Sequence, residues 1–269
     1  MSESSPRRSP QPINDPTEHL RKLMAEDRVL FGTFLRLSSP IVSALVFARA
    51  KDGLDFVIID GQHQAFNQET LWTMIRMGHM SGVPTLVRVG VHDYVRAELL
   101  LDMGAAGIIF PLVNTKQESL DAAMTCTYPP TGKRSVGGIG SLLGAETSRP
   151  VCIIQIEHRD ALGALDDILS VTGIDALLPG PVDLARSFGH DAAYGRVEEA
   201  MAQIRGPLQD IDLAAQRNGL LNAKFYASGL AARGALSDKC KFAIISSDSS
   251  ALTDGLRGHL ADAKSPVNP

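Results

Sequence analysis

The chain has little cysteine, few aromatics and no strong charge of either sign. Of its 269 residues, three are cysteine, one is tryptophan and 5% are aromatic. Three cysteines (Cys126, Cys152 and Cys240) with no framework spacing exclude a disulfide-built miniprotein. Cys152 sits inside an apolar run and reads as packing, so a reduced, cytoplasmic setting is expected. The formal net charge of −4 and the scarcity of aromatics argue against a basic, base-stacking face for nucleic acid. No uncharged apolar run reaches the roughly 18 residues that a membrane helix needs. No Cys or His pair has zinc spacing. The first 16 residues hold four Pro and four Ser, lack an apolar signal-type stretch and read as a solvated tail. Residues 265–269 read as a frayed end, which leaves 17–264 as the folded body.

What is present is regular. Short β-rich runs recur at Leu30–Leu35, Asp55–Ile59, Thr85–Val89, Gly107–Leu112, Val151–Ile156, Ala176–Leu178, Leu220–Lys224 and Lys241–Ser246. Helical patterns intervene. Gln68–Met80 follows Asn67, a good N-cap. Tyr94–Met103 places Val95, Leu99 and Met103 on one face, and Asp160–Val171 does the same for Ala161, Leu165, Ile168 and Leu169. Alternation of this kind gives parallel strands with right-handed crossovers. Eight units in about 250 residues fit a single α/β (β/α)₈ TIM barrel. A doubly wound open sheet is the competing fold, but no Gly-rich phosphate loop supports it. Gly138–Gly144 misses the dinucleotide spacing, follows no strand and reads as a flexible loop.

Barrel chemistry sits at the C-terminal strand ends, so polar residues that close apolar strands are the candidates. Strand 2 closes on Asp60, with Gln62 and His63 on the turn. A carboxylate that accepts from one imidazole nitrogen leaves the other as a base; the alternative is a turn-capping Asp and an exposed His. Strand 3 carries Arg88, a residue otherwise excluded from an apolar strand, followed by His92 and Asp93. Its guanidinium suits an anionic oxygen, or else a structural ion pair. Strand 5 ends in Gln155 and Glu157 on one face. Strand 6 ends in Gly180-Pro181-Val182-Asp183, where backbone can approach a ligand and Asp183 either caps a helix or binds metal. Glu157 and Asp183 together suit a hard cation, Mg²⁺ or Mn²⁺, that keeps water and substrate oxygens.

Ile59–His63, Val87-Arg88 with Asp93, Gly104–Gly107 leading to Pro111, Tyr128–Arg134, Gln155–Glu157 and Gly180–Asp183 together resemble the HpcH/HpaI aldolase family, relatives of the citrate lyase β-subunit. The resemblance implies a metal-dependent pyruvate aldolase, commonly hexameric, with a swapped C-terminal helix. It further implies Glu157 and Asp183 as metal ligands and Arg88 as the enolate's partner. His63 paired with Asp60 would be the base, assisted through water by Asp93. Gln155 and the backbone at Gly180, Pro181 and Val182 would contact the keto acid. Phe66-Asn67, His92-Asp93, Lys133–Ser135 and Ala214–Gly219 lean toward the macrophomate synthase branch, which decarboxylates oxaloacetate and couples the enolate. Where the family usually has Glu beside the metal's water shell, this chain has Gln62. Gln62→Glu is therefore expected to raise metal affinity, and an unchanged metal titration would refute it. The segment between Val136 and Pro150 is also shorter than in relatives.

These readings imply a carbon–carbon lyase that cleaves a 4-hydroxy-2-oxo acid to pyruvate and an aldehyde. It would act on a small 2-oxo acid as a homo-oligomer (trimer or hexamer), with neither nucleic acid nor membrane as partner. The alternatives are an oxaloacetate decarboxylase or coupling synthase, a Schiff-base aldolase using Lys224, and a non-catalytic barrel that keeps the pocket.

Overall fold

A computed structural model describes residues 15–137, 148–192, 196–235 and 239–265. The readings for Gly138–Gly144, for most of the Val136–Pro150 segment and for residues 1–14 and 266–269 lie outside them.

Eight parallel strands close on themselves in chain order: β1 Leu30–Leu35, β2 Phe56–Asp60, β3 Thr85–Arg88, β4 Gly107–Phe110, β5 Val151–Ile156, β6 Ala176–Pro179, β7 Leu221–Tyr226 and β8 Phe242–Ser247. The pairing of β1 with β8 excludes the open sheet. Helix α1 Pro16–Ala25 precedes the barrel, and between and after the strands come α2 Pro40–Phe47, α3 Gln68–Met80, α4 Tyr94–Asp102, α5 Lys116–Thr125, α6 Leu165–Leu169, α7 Pro181–Ser187, α8 Val197–Gln203, α9 Arg205–Arg217 and α10 Asp248–Lys264.

The helix starts follow their caps. Asn67 Oδ1 accepts from the Thr70 N–H at 2.8 Å, as its position predicts, and Thr115 with Glu118 forms a reciprocal capping box. Helix α1 begins at Pro16 with Asp15 as its cap, so regular structure starts just before the expected boundary at residue 17.

The two-residue period of a strand divides the core. Inward residues, among them Phe34, Phe56, Ile58, Leu86, Ile153 and Phe242, fill the barrel. Their neighbours, such as Val57, Ile59, Val87, Ile108 and Ile154, pack against the helices. Phe56 and Phe242 meet edge to face at 5.4 Å. Gly32 leaves room for the Phe56 ring, where a Cβ would overlap it. Leu20 and Leu23 of α1 join the interior cluster and plug the end where the strands begin. Only the opposite end is left for chemistry.

One expected face is reversed. Val95 and Leu99 of α4 are exposed, and Ala97, Leu100 and Leu101 are its buried residues. Met103, the third residue of the expected face, lies past the end of α4 and is partly buried against the core. The 160–171 segment buries all four of its expected residues, although it opens as a 3₁₀ turn before α6.

Candidate active site at the C-terminal mouth

Continuing the inward register of each strand to its C-terminal end brings together Arg36, Asp60, Arg88, Gln155, Glu157 and Gly180. Asp60 and Arg88 are partners in the β2–β3 register, and both are buried. Their facing positions make a bidentate pair, with Arg88 Nε donating to Asp60 Oδ1 at 3.0 Å and Nη2 to Oδ2 at 2.9 Å. Arg88 Nη1 reaches Gln155 Oε1 at 3.5 Å, and its guanidinium lies 5.1 Å from the Phe34 ring centroid.

This geometry corrects the expected Asp60–His63 pair. Both Asp60 oxygens are engaged by arginine, with Arg36 Nε also 3.4 Å from Oδ2. His63 lies beyond Gly61 on the turn, exposed and without a hydrogen bond or ion pair among the described residues. Asp93 likewise serves as the N-cap of α4, its Oδ1 accepting from Arg96 N at 3.2 Å. Its neighbour His92 sits at φ 56° with Nε2 3.1 Å from Glu118 Oε1.

Glu157 is 2% exposed. Burial first, then the charge of Asp183, push its carboxyl up to about 7; Arg88 and the Leu112 N–H, which donates to Oε1 at 3.0 Å, act in the other direction. Asp183 stands exposed in the first turn of α7. It does not cap that helix: Gly180 is the N-cap residue, with no side-chain cap. Gly180 is held by its N–H to Ile156 O at 2.9 Å, so only the backbone beyond it, at Val182 and Asp183, is open to a ligand. A Cβ at Gly180 would lie 2.5 Å from Glu157 Cβ and 2.9 Å from Gln155 Nε2. Glycine is required here by close approach. Gln62 Oε1 is buried and lacks a hydrogen-bond partner.

Lys224, the Schiff-base candidate, has Nζ 2.7 Å from Asp212 on α9. It therefore faces the helix layer and not the mouth. Conversely, the sequence reading passed over Arg36. The signal was available, since Gly32, Phe34 and Arg36 share one parity and Arg36 directly follows an apolar strand. Within Tyr128–Arg134, Arg134 is 3% exposed, pairs with Asp102 at 2.8 Å and stacks over Tyr128. Here that motif braces the outer layer.

A closed parallel barrel with a cluster of buried polar and charged side chains at its C-terminal mouth has the layout of a barrel enzyme. The HpcH/HpaI aldolase/citrate lyase family model matches residues 30–252. The chain is 33% identical over 237 residues to a 4-hydroxy-2-oxo-heptane-1,7-dioate aldolase of Salmonella arizonae, spanning 77% of this chain and 88% of that protein. It is 35% identical over 228 residues to a hydroxypyruvate/pyruvate aldolase of Rhizorhabdus wittichii, spanning 81% and 88%. Among solved structures, macrophomate synthase superposes with a TM-score of 0.77 at 26% identity, covering 98% of this chain and 94% of that one. The chain belongs to the HpcH/HpaI aldolase/citrate lyase family, and it is a carbon–carbon lyase of the class II aldolase type.

Proposed function

We infer that this protein cleaves a 4-hydroxy-2-oxo acid to pyruvate and an aldehyde through an enolate. One observation carries the reading. Arg88 is a buried guanidinium with Gln155, Glu157 and Asp60 around it, preorganised where an oxyanion would develop. Asp60 and Phe34 fix the guanidinium's position, and Gln155 beside it can contact the keto acid. The backbone N–H groups of Val182 and Asp183, just past Gly180 and Pro181, fit the acid's carboxylate. His63, exposed above the mouth, is the group available to take the C4 hydroxyl proton, with Asp93 assisting.

The donor set fits a hard divalent cation, Mg²⁺ or Mn²⁺. Burial, and then the charge of Asp183, push the Glu157 carboxyl up to about 7, so a cation would be needed to offset two neighbouring carboxylates, and no thiol or imidazole is part of the set. Among the described residues no cluster of three or more ligating side chains exists, so substrate oxygens and water would complete the shell. When bound, the cation would act as a Lewis acid on the 2-oxo acid. Gln62, with its buried and unpartnered Oε1, is the position where a glutamate would add charge to the mouth.

Glu157 must be ionised to serve as a ligand. With its carboxyl at about 7, apparent metal affinity should fall roughly tenfold per pH unit below that value, and near pH 7 binding should release a fraction of a proton. Calorimetry in buffers of different ionisation enthalpy would measure this; an affinity flat from pH 5.5 to 7 would contradict it.

Oligomerisation is supported by an unpartnered helix and an open groove. Leu252, Leu256 and Leu260 of α10 are 66%, 59% and 51% exposed. Beside the start of that helix a cavity of about 680 Å³ is lined by Phe31, Val42, Leu45, Val46 and Ile245. A second copy's α10 would fit there by exchange, giving the trimer or hexamer expected of the family. Leu256→Glu should shift the particle to a smaller mass by light scattering. Cys126, Cys152 and Cys240 are buried and form no disulfide among the described residues, which suits the cytoplasm. Among the described residues no helix is long and apolar enough to cross a membrane.

Release of pyruvate from 4-hydroxy-2-oxo acids, followed with and without chelator and compared with release from oxaloacetate, tests the reading. Metal-dependent cleavage of the hydroxy acid is expected. Turnover of oxaloacetate alone would instead favour the decarboxylase or coupling branch.

A further inference from the structure

The mouth holds a second guanidinium that the proposed chemistry does not use. Arg36 directly follows β1, and its backbone is pinned. Its own N–H and that of Leu37 donate to the two oxygens of buried Asp248, at 2.9 and 3.0 Å. Its guanidinium shares the Phe34 ring with Arg88, lying 5.4 Å from the centroid against 5.1 Å. The ring thus serves both cations as a platform.

The electrostatic balance is uneven. Asp60 carries one negative charge, and Arg88 already holds it by two hydrogen bonds of 3.0 and 2.9 Å. Arg36 adds only an Nε 3.4 Å from Asp60 Oδ2, and that Nε, closed off from solvent, has no hydrogen-bond partner. Among the described residues its terminal nitrogens have no acceptor either, and the side chain is 36% exposed. A guanidinium placed only to neutralise Asp60 would present a two-nitrogen edge to it, as Arg88 does. Arg36 keeps its terminal nitrogens free, and these suit a second carboxylate.

We propose that Arg36 sets specificity for the enolate's partner, selecting an aldehyde or acceptor that carries its own carboxylate. The substrates cleaved are then 4-hydroxy-2-oxo diacids in preference to those that yield neutral aldehydes. This rests on the lyase reading above. Arg88 is already committed to Asp60 and lies beside Gln155, the groups assigned above to the keto acid, so Arg36 is the guanidinium left for the partner.

The test is steady-state aldol addition of pyruvate to glyoxylate, which is anionic, and to glycolaldehyde, which is neutral and similar in size, with Mg²⁺ present. Arg36→Ala is expected to raise KM for glyoxylate by about tenfold or more relative to its effect on KM for glycolaldehyde. Arg36→Lys should recover part of the loss. Equal losses with both aldehydes, or none with either, would overturn the proposal. If the wild-type protein fails to exchange pyruvate methyl protons, the lyase reading falls, and binding then judges Arg36 separately. By calorimetry, Arg36→Ala should weaken 2-oxoglutarate, with two carboxylates, about tenfold more than it weakens pyruvate, with one. Equal changes for both would overturn the proposal.

Discussion

Replacing Arg88 with alanine is expected to abolish enolate formation and to destabilise the barrel. The side chain would be lost from a site where it is 8% exposed and Asp60 is 1% exposed. Removing one preorganised donor to a developing oxyanion typically costs 10²–10³ in rate, and a loss of about that size is the floor here, since Arg88 supplies a full charge as well. Stability falls for a separate reason. Asp60 loses both of its charge-assisted hydrogen bonds and keeps only the loose approach of Arg36. Stranding a buried charge costs about 3–5 kcal/mol, and Arg36 should bring this to the lower end. Arg88→Lys separates the two effects. It keeps the charge and much of the stability but not the two-nitrogen fork, so thermal melting should recover more than pyruvate exchange does.

The second large effect is predicted for a residue with no chemistry of its own. Gly180→Ala places a methyl group against Glu157 and within 2.9 Å of Gln155 Nε2. The backbone there cannot retreat easily, because the Gly180 N–H is bonded to Ile156 O at 2.9 Å and its carbonyl accepts from Leu184 N at the start of α7. The Glu157 carboxylate must therefore move, and with it the Leu112 contact at 3.0 Å. Overpacking of this kind costs about 1–3 kcal/mol, which a barrel of this size survives. Metal affinity and turnover should each fall by about 10² or more, because a small displacement of positioned groups is expensive. A folded Gly180→Ala protein that titrates metal normally would show that Glu157 is not the ligand.

These effects also explain which parts of the molecule could be read in the sequence. The barrel was legible because its signal repeats: eight apolar runs with helices between them are hard to satisfy otherwise. Gln68–Met80 was predicted to the residue, since Asn67 caps it locally. Arg88, Gln155 and Glu157 were legible because polar and charged side chains within or closing apolar strands demand an explanation. The partner of Asp60 was not. Sequence proximity favoured His63, three residues away, whereas the β2–β3 register supplied Arg88, twenty-eight residues away. Arg36 was missed for a related reason. It follows its strand, and only the inward parity of Phe34, together with the pinning by distant Asp248, turns it to the mouth. The phase of α4 failed because Leu99, Leu100 and Leu101 are consecutive, so apolar spacing alone does not pick the buried face.

The central claim is that this mouth makes and holds a pyruvate enolate. Proton NMR of pyruvate in D₂O with the full-length protein tests it most directly, with Mg²⁺ added in one sample and chelator in the other. The account predicts methyl deuteration with metal, none with chelator, and none in Arg88→Ala. Exchange that persists in chelator, or in Arg88→Ala, would contradict it.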